Sequence, residues 1–368
     1  MVKGSTAPSY KNIWSLKTED MLQGLSWHWW WWIFFIDNPS NPSKPKQLMI
    51  LWSTKQIKQI EVNGMPWKQK NPPSYENGKL TFNGMTAAWW YDGEKMVEPL
   101  MLDGSDFEVK KDGGSGELNP LLEGKDYRFY GNSKRYHVNI VDEDNDFRFE
   151  LTPWNPYLQD HRFNEQYYIR NYNYNILKIY GMKLNGLIDG EKVTGSGYFQ
   201  RVSVNSPAMP WYWGLIHCED GSFIQYFKPF IGLQIFRTKP DQNSYLDRGD
   251  IALSKDLLFY HKGTDTEYKF DKKYLSIDYT IRGQLPVVKV IGEDSHKKLQ
   301  LTLKAYSRAY WRFEQPRKYM MKSILFYNEY PAVVKEFKFS LKDKDLEVGK
   351  EDLGKTYSNF EHSWGKLL

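Results

Sequence analysis

Twelve consecutive residues, Leu25 to Ile36, read L-S-W-H-W-W-W-W-I-F-F-I with no formal charge among them. Five tryptophans fall within six positions, and His28 is the only ring of the run that titrates near neutral pH. Indole is a large flat apolar surface with a single N–H donor. A segment built from it must be buried, either in a solid core or as the wall of a pocket for a flat, greasy ligand. As a helix the run is too short to cross a bilayer, which takes about 20 apolar residues. Glu19, Asp20 and Asp37 flank it with charge.

The chain has 368 residues, enough for two ordinary domains or one large one. Trp, Tyr and Phe supply 17% of it, and aromatic residues favour strands. Asn63-Gly64, Asn77-Gly78, Asn83-Gly84, Asp92-Gly93, Asp103-Gly104, Asn185-Gly186, Asp189-Gly190 and Asp220-Gly221 have the composition of tight hairpin turns. Between them lie short aromatic or β-branched runs, among them Tyr136 to Val141, Phe147 to Thr152, Ser222 to Phe227, Tyr274 to Ile281, Leu299 to Ala305 and Val333 to Leu341. Many alternate with period two, as half-buried antiparallel strands do, and no long stretch has a helical period. An all-β protein is expected. Asp37 to Lys46 reads as a long hairpin loop. Asp103 to Pro120 reads as another, most flexible at Gly113-Gly114-Ser115-Gly116.

One plan occurs twice. Trp29 to Trp52 is an aromatic strand, a turn and a strand, and Trp211 to Phe227 repeats it through the Asp220-Gly221 turn. Each is a candidate opening hairpin of its own barrel, which predicts a duplicated architecture with a seam near residues 190–210 and units of 10–195 and 196–368.

The hairpins, with the segment between them, resemble the AttH-like or hydroxyneurosporene synthase-like family, which includes carotenoid 1,2-hydratase, kievitone hydratase and calycin-type Diels–Alderases. The stretch matching its first signature is His28-Trp29-Trp30-Trp31. The second reads Gly195-Ser196-Gly197-Tyr198-Phe199-Gln200, then Trp211-Tyr212-Trp213, then Asp220-Gly221. The resemblance implies two tandem lipocalin-like antiparallel β-barrels, calycin-like and side by side, with a hydrophobic pocket at or near their interface. It also implies a strong carboxylic acid that protonates an alkene in a dry site, with aromatic faces stabilising the cation. Here the two acidic signature positions are His28 and Gln200.

His28 and Gln200 are therefore the candidate catalytic residues. For His28, a core histidine and a general acid/base both stay open. Trp30, Trp32, Tyr198, Trp211 and Trp213 are the candidate substrate-binding residues. Trp29 to Trp32 alternate across a strand, so two face each side. Tyr198 and Gln200 share a face and suit hydrogen bonding to a carbonyl or hydroxyl. His217, Cys218, Glu219 and Asp220 cannot all converge from a strand, and Asp142, Asp144 and Asp146 lack the Gly and Glu of a calcium loop, so no metal is expected. No nucleophile elbow, phosphate loop or dinucleotide fingerprint is present, and no cofactor is expected.

The formal charge is +5, with 50 basic and 45 acidic residues interspersed, and Lys55 to Lys58 reads as a solvated strand face, so nucleic acid is not an expected partner. Cys218 is the only cysteine, so no disulfide forms within the chain. Met1 to Lys17 lacks an apolar core, and a cytoplasmic address without a signal peptide is expected. The leading reading is binding of an isoprenoid or polyketide-like molecule, with cofactor-free hydration, cyclisation or isomerisation. A carbohydrate-binding or glycoside-hydrolysing protein, with Glu314, Glu329 and Asp160 as available carboxylates, and a non-catalytic lipid carrier are the alternatives. Peripheral membrane contact and oligomeric state stay open.

Overall fold

A strand with rings at six consecutive positions, Trp27 to Trp32, presents two apolar faces, so neither face can be left to water. In the computed structural model the strand Ser26–Ile36 meets this demand by having its two faces in different cores. The structure describes residues 3–5, 13–14, 26–55, 59–70, 73–153, 162–169, 172–205, 210–231, 251–282, 285–316, 322–344 and 346–367. Of the residues singled out above, Glu19, Asp20, Leu25, Gln56, Ile57, Lys58 and Asp160 lie outside them.

The first sheet closes on itself. Ser26–Ile36 pairs antiparallel with Lys46–Lys55 on one side and Glu191–Asn205 on the other. The long strand Tyr172–Ile188 pairs with both Glu191–Asn205 and Asp146–Pro153, which completes a ring of ten antiparallel strands. Inside lie Trp30, Trp32, Phe34, Trp52, Phe129, Tyr136, Phe149 and Phe199. Trp32 stacks on Phe34 with centroids 5.5 Å apart and meets Phe129 edge-on at 5.3 Å. The indole N–H groups of Trp30 and Trp52 donate to Ile13 O at 2.6 Å and Tyr127 O at 2.9 Å.

The second sheet begins at Trp211–Cys218, which pairs with Phe223–Ile231 and Thr356–Leu367. It curls round its own core of Tyr212, Ile216, Tyr226, Phe259, Leu301 and Phe360. Across that core the strand Leu285–Glu293 comes close to the end strand Thr266–Phe270: a Cβ on Gly292 would lie 2.7 Å from the Phe270 ring. Ile60–Val62 crosses from the first half of the chain to pair with Ala309–Pro316 of this sheet, and Met65–Trp67 pairs with Ile60–Val62. The first sheet runs to Asn205, so residues 195 and 196 both sit inside its closing strand.

The structure corrects one loop. Asp103 to Pro120 is a pair of strands, Met96–Asp112 and Ser115–Leu121, joined at Gly113-Gly114. Phe107 and Val109 point into the barrel, fully or almost fully buried. Gly104 is a strand residue opposite Met85, and a Cβ there would lie 3.1 Å from Trp67. Gly84 and Gly186 are also inside strands, where a Cβ would meet Ser53 O at 2.9 Å and Arg148 O at 2.4 Å. These three glycines permit close approach, whereas Asn63-Gly64, Asn77-Gly78 and Asp189-Gly190 have positive φ at both residues and do turn the chain.

Candidate functional site between the two sheets

The outward face of Ser26–Ile36 presents Trp31, Ile33 and Phe35 to the second sheet. From the first sheet Met49, Met85, Ala87, Trp89, Tyr180 and Tyr198 join them, and from the second come Trp213, Leu215, Phe223, Trp311 and Leu325. Three rings meet near the centre: Trp31 to Tyr198 at 5.8 Å, Trp31 to Trp213 at 5.6 Å and nearly perpendicular, and Tyr198 to Trp213 at 5.5 Å.

Two glutamates are buried in this aromatic layer. Glu329 on Lys322–Leu341 and Glu361 on Thr356–Leu367 are directly opposite in the antiparallel register. Glu329 is 0% exposed and Glu361 is 4% exposed. Like charges facing each other across a ladder destabilise it, and buried charges do so more strongly. Tyr327, two residues before Glu329 and on the same face, contacts both. Its hydroxyl bonds Oε1 of Glu329, and Oε1 of Glu361 at 2.8 Å. The remaining oxygens each accept an indole N–H. Trp89 donates to Oε2 of Glu329 at 3.0 Å, and Trp211 to Oε2 of Glu361 at 2.7 Å.

Counting protons shows what this cluster is. A phenol has one, and here it faces two carboxyl oxygens. Were both glutamates ionised, one of those two contacts would contain no proton at all. An indole N–H can only donate, which leaves an Oε1 as the place for the missing one. The trio therefore holds a carboxylic acid at neutral pH, its proton shared along Glu–Tyr–Glu. Burial, reinforced by the Glu361 charge, raises Glu329 well above the usual carboxylate range. Burial pushes Glu361 up to about 7, against the pull of Trp211 and Tyr327.

A second polar chain enters from the first sheet. Lys178 Nζ donates to Gln225 Oε1 at 3.0 Å, Gln225 Nε2 to the Tyr198 hydroxyl at 3.3 Å, and that hydroxyl to Gln200 Oε1 at 3.2 Å. Desolvation pushes Lys178 down to about 8. The indole N–H groups of Trp213 and Trp311 are buried in the same layer with no partner among the described residues.

Of the candidates named from sequence, Tyr198, Gln200, Trp211 and Trp213 all face this layer. Trp30 and Trp32 point the other way, into the first barrel, so no single cavity can be lined by both sets. His28 also faces that interior, with its Nε2 at 3.5 Å from Ser203 Oγ. His217 is fully buried: Nε2–H donates to Tyr180 O at 2.6 Å, which leaves Nδ1 to accept from Ser196 Oγ at 3.0 Å. Glu314 holds Arg312 at 2.5 Å, away from the buried pair. Tyr327, Glu361 and Trp89 were not singled out. Their one signal is a carboxylate set in an aromatic strand, as in Leu325-Phe326-Tyr327-Asn328-Glu329-Tyr330 and Phe360-Glu361-His362.

No family model matches the chain, and no curated protein matches it by sequence. Solved structures do match, among them three that each cover at least 95% of this chain. CghA, at 10% identity and a TM-score of 0.51, covers 98% of this chain and 93% of its own. This chain has the fold of CghA. The likeness concerns the fold alone. A candidate AttH from Nitrosomonas europaea (13% identity, TM-score 0.46) covers 95% of this chain and 96% of its own. Kievitone hydratase from Nectria haematococca (12%, 0.40) covers 98% and 95%.

Proposed function

We propose that the layer between the two sheets binds a hydrophobic small molecule and that the Glu329–Tyr327–Glu361 trio acts on it as a general acid and base. The carrying observation is the single phenolic proton facing two buried carboxyl groups. It supports a carboxylic acid kept protonated at neutral pH in a dry aromatic setting. Protonation of an alkene or a conjugated carbonyl needs an acid of that kind. The positive charge that develops is stabilised by the ring faces of Trp31, Tyr198 and Trp213. Glu361, pushed up to about 7, is suited to take a proton back near neutral pH. In a hydration, the acid's proton goes to one alkene carbon and water adds to the other. The water's second proton returns through Tyr327 to the pair, so the pair ends as it began. Loss of a proton from the cation instead gives isomerisation, and attack by a second alkene gives cyclisation.

The unpartnered indoles of Trp213 and Trp311 favour a ligand with an oxygen acceptor, in the isoprenoid or polyketide class. The glycoside-hydrolase reading needs carboxyl groups about 5–9.5 Å apart with the sugar between them. In this pair the Tyr327 hydroxyl, bonded to both carboxyl groups, occupies the place between them where a sugar would sit.

The test is extraction of the purified protein and mass spectrometry of what is released. An apolar, oxygen-bearing molecule is expected, together with retained binding and lost turnover in E329Q. Protein that releases nothing and also binds nothing from a panel of terpenoid alcohols and aromatic polyketides would remove the proposal. Retained binding with undiminished turnover in E329Q/E361Q would remove the acid.

A further inference from the structure

Arg201 lies on the face of the first sheet opposite the glutamate layer. It belongs to Glu191–Asn205, where its register neighbours are Trp30 and Leu177, and it points into the barrel with Phe199. It is 2% exposed. A guanidinium has five N–H groups and stays charged in proteins. Here Nη1 donates to Asn175 Oδ1 at 3.3 Å. Nε and Nη2 are buried with no partner among the described residues. Desolvation pushes its pKa down to about 10, with no carboxylate opposing among the described residues. A buried charge without a counter-ion is among the costliest groups a fold can hold.

The vacant edge has a definite shape. Nε–H and Nη2–H lie parallel and match the two oxygens of a carboxylate. Arg128 of the same chain shows the match: its Nε donates to Asp126 Oδ1 at 2.6 Å and its Nη2 to Asp126 Oδ2 at 2.9 Å. Arg201 offers the same fork inside the barrel. His28, Asn175 and Ser203, each at most 3% exposed, provide further polar groups at that level. Trp30, Leu177 and Phe199 provide the apolar surroundings. One positive charge in such a setting matches a monoanion with an apolar body.

We propose that Arg201 anchors a second ligand site, within the first barrel, that takes the carboxylate of an apolar acid. The site is separate from the layer between the sheets, since the two lie on opposite faces of one strand. It therefore stands whether or not the glutamate pair is catalytic.

The experiment measures thermal stability and calorimetric binding of the full chain with decanoate and benzoate, each against its neutral alcohol. The wild type, R201M and R201K are compared. Decanoate or benzoate is expected to bind and to raise Tm while the alcohols do not. R201M is expected to lose that binding altogether. R201K retains the charge without the fork, and binding about tenfold weaker is expected. Without any added acid, R201M is expected to be at least as stable as the wild type, since an apolar side chain replaces an uncompensated charge. A large loss of stability in ligand-free R201M would mean that the chain supplies its own counter-ion, and the site would be withdrawn. Equal protection by acid and alcohol, carboxylate binding that survives R201M, or no binding by either acid would each overturn it as well.

Discussion

Raising the pH from 6.5 to 8 is expected to loosen this protein, because of Glu329 and Glu361. Both are held above the ordinary carboxylate range by burial, Glu329 well above it and Glu361 up to about 7. An acid with a higher pKa folded than unfolded keeps its proton in the native state after the unfolded chain has released it. Its contribution to stability is complete below the unfolded value and is lost as the pH rises through the folded one. Other groups set the useful window. His217, pushed down to about 3 by burial, adds stability as the pH climbs toward its ordinary 6.5. Lys178, pushed down to about 8, does the same above that value. Glu98 and Asp256, which burial also raises, act in the same direction, and the variants below separate the pair from them. One retained proton is worth about 1.36 kcal/mol per pH unit, so roughly 2 kcal/mol is lost across the window. Urea unfolding of the wild type, E329Q, E361Q and E329Q/E361Q at four pH values measures this. Glutamine keeps the side chain's shape and an acceptor oxygen but does not titrate, so the difference in slope between wild type and double variant isolates the pair. A wild type with a flat profile, or a double variant with the full slope, would refute the proton count.

The cluster and the fold make further predictions. Y327F removes the bridging proton while leaving the ring, and a loss of about 1–3 kcal/mol in urea unfolding is expected from the two carboxyl groups left without it. W89F removes a hydrogen bond that holds Glu329 down, so the pH range over which stability is lost is expected to extend upward, read from the same unfolding series. Gly195→Ala is expected to prevent folding or to lower Tm severely, because its Cβ would lie 1.9 Å from the backbone Phe35 O. Gly64→Ala, at φ +83 in open space, is expected to cost only about 1–2 kcal/mol of backbone strain, checked by the same melt.

The all-β architecture was legible because period two survives in strands such as Asp146–Pro153, Leu285–Glu293 and Lys297–Ala305. Arg135–Val141 and Asp146–Pro153 alternate as the barrel requires, and their apolar residues Val138, Ile140, Phe147 and Phe149 are the buried ones. Glycine was the weak point. Asn83-Gly84, Asp103-Gly104 and Asn185-Gly186 have the composition of turns, yet they are places where a neighbouring backbone or ring comes too close for a Cβ. The need for a positive φ and the need for space favour the same residue, and only the partner strand separates them. The tryptophan faces were hidden for a related reason. With rings at Trp29, Trp30, Trp31 and Trp32, the pattern gives the alternation but not its phase. Phase is fixed by Phe199 and Phe129 inside the barrel and by Trp213 outside it, all distant in sequence.

The acid was concealed by the same distance. In the local motifs, His28 and Gln200 occupy the places where a carboxylate was expected, and on that basis the chain lacks an acid. The sheet register restores two, since Glu329 and Glu361 are brought opposite each other by strands that begin more than a hundred residues after Gln200. Their wall is partly provided by the first sheet: Trp89 donates to Glu329, and Trp31 lowers it too. Neither half of the chain therefore makes the site alone. The second sheet holds the carboxyl pair, and both sheets supply indoles to it, Trp89 from the first and Trp211 from the second. That packing explains why the outer face of a tryptophan strand is as apolar as its inner face: it is buried against the second sheet.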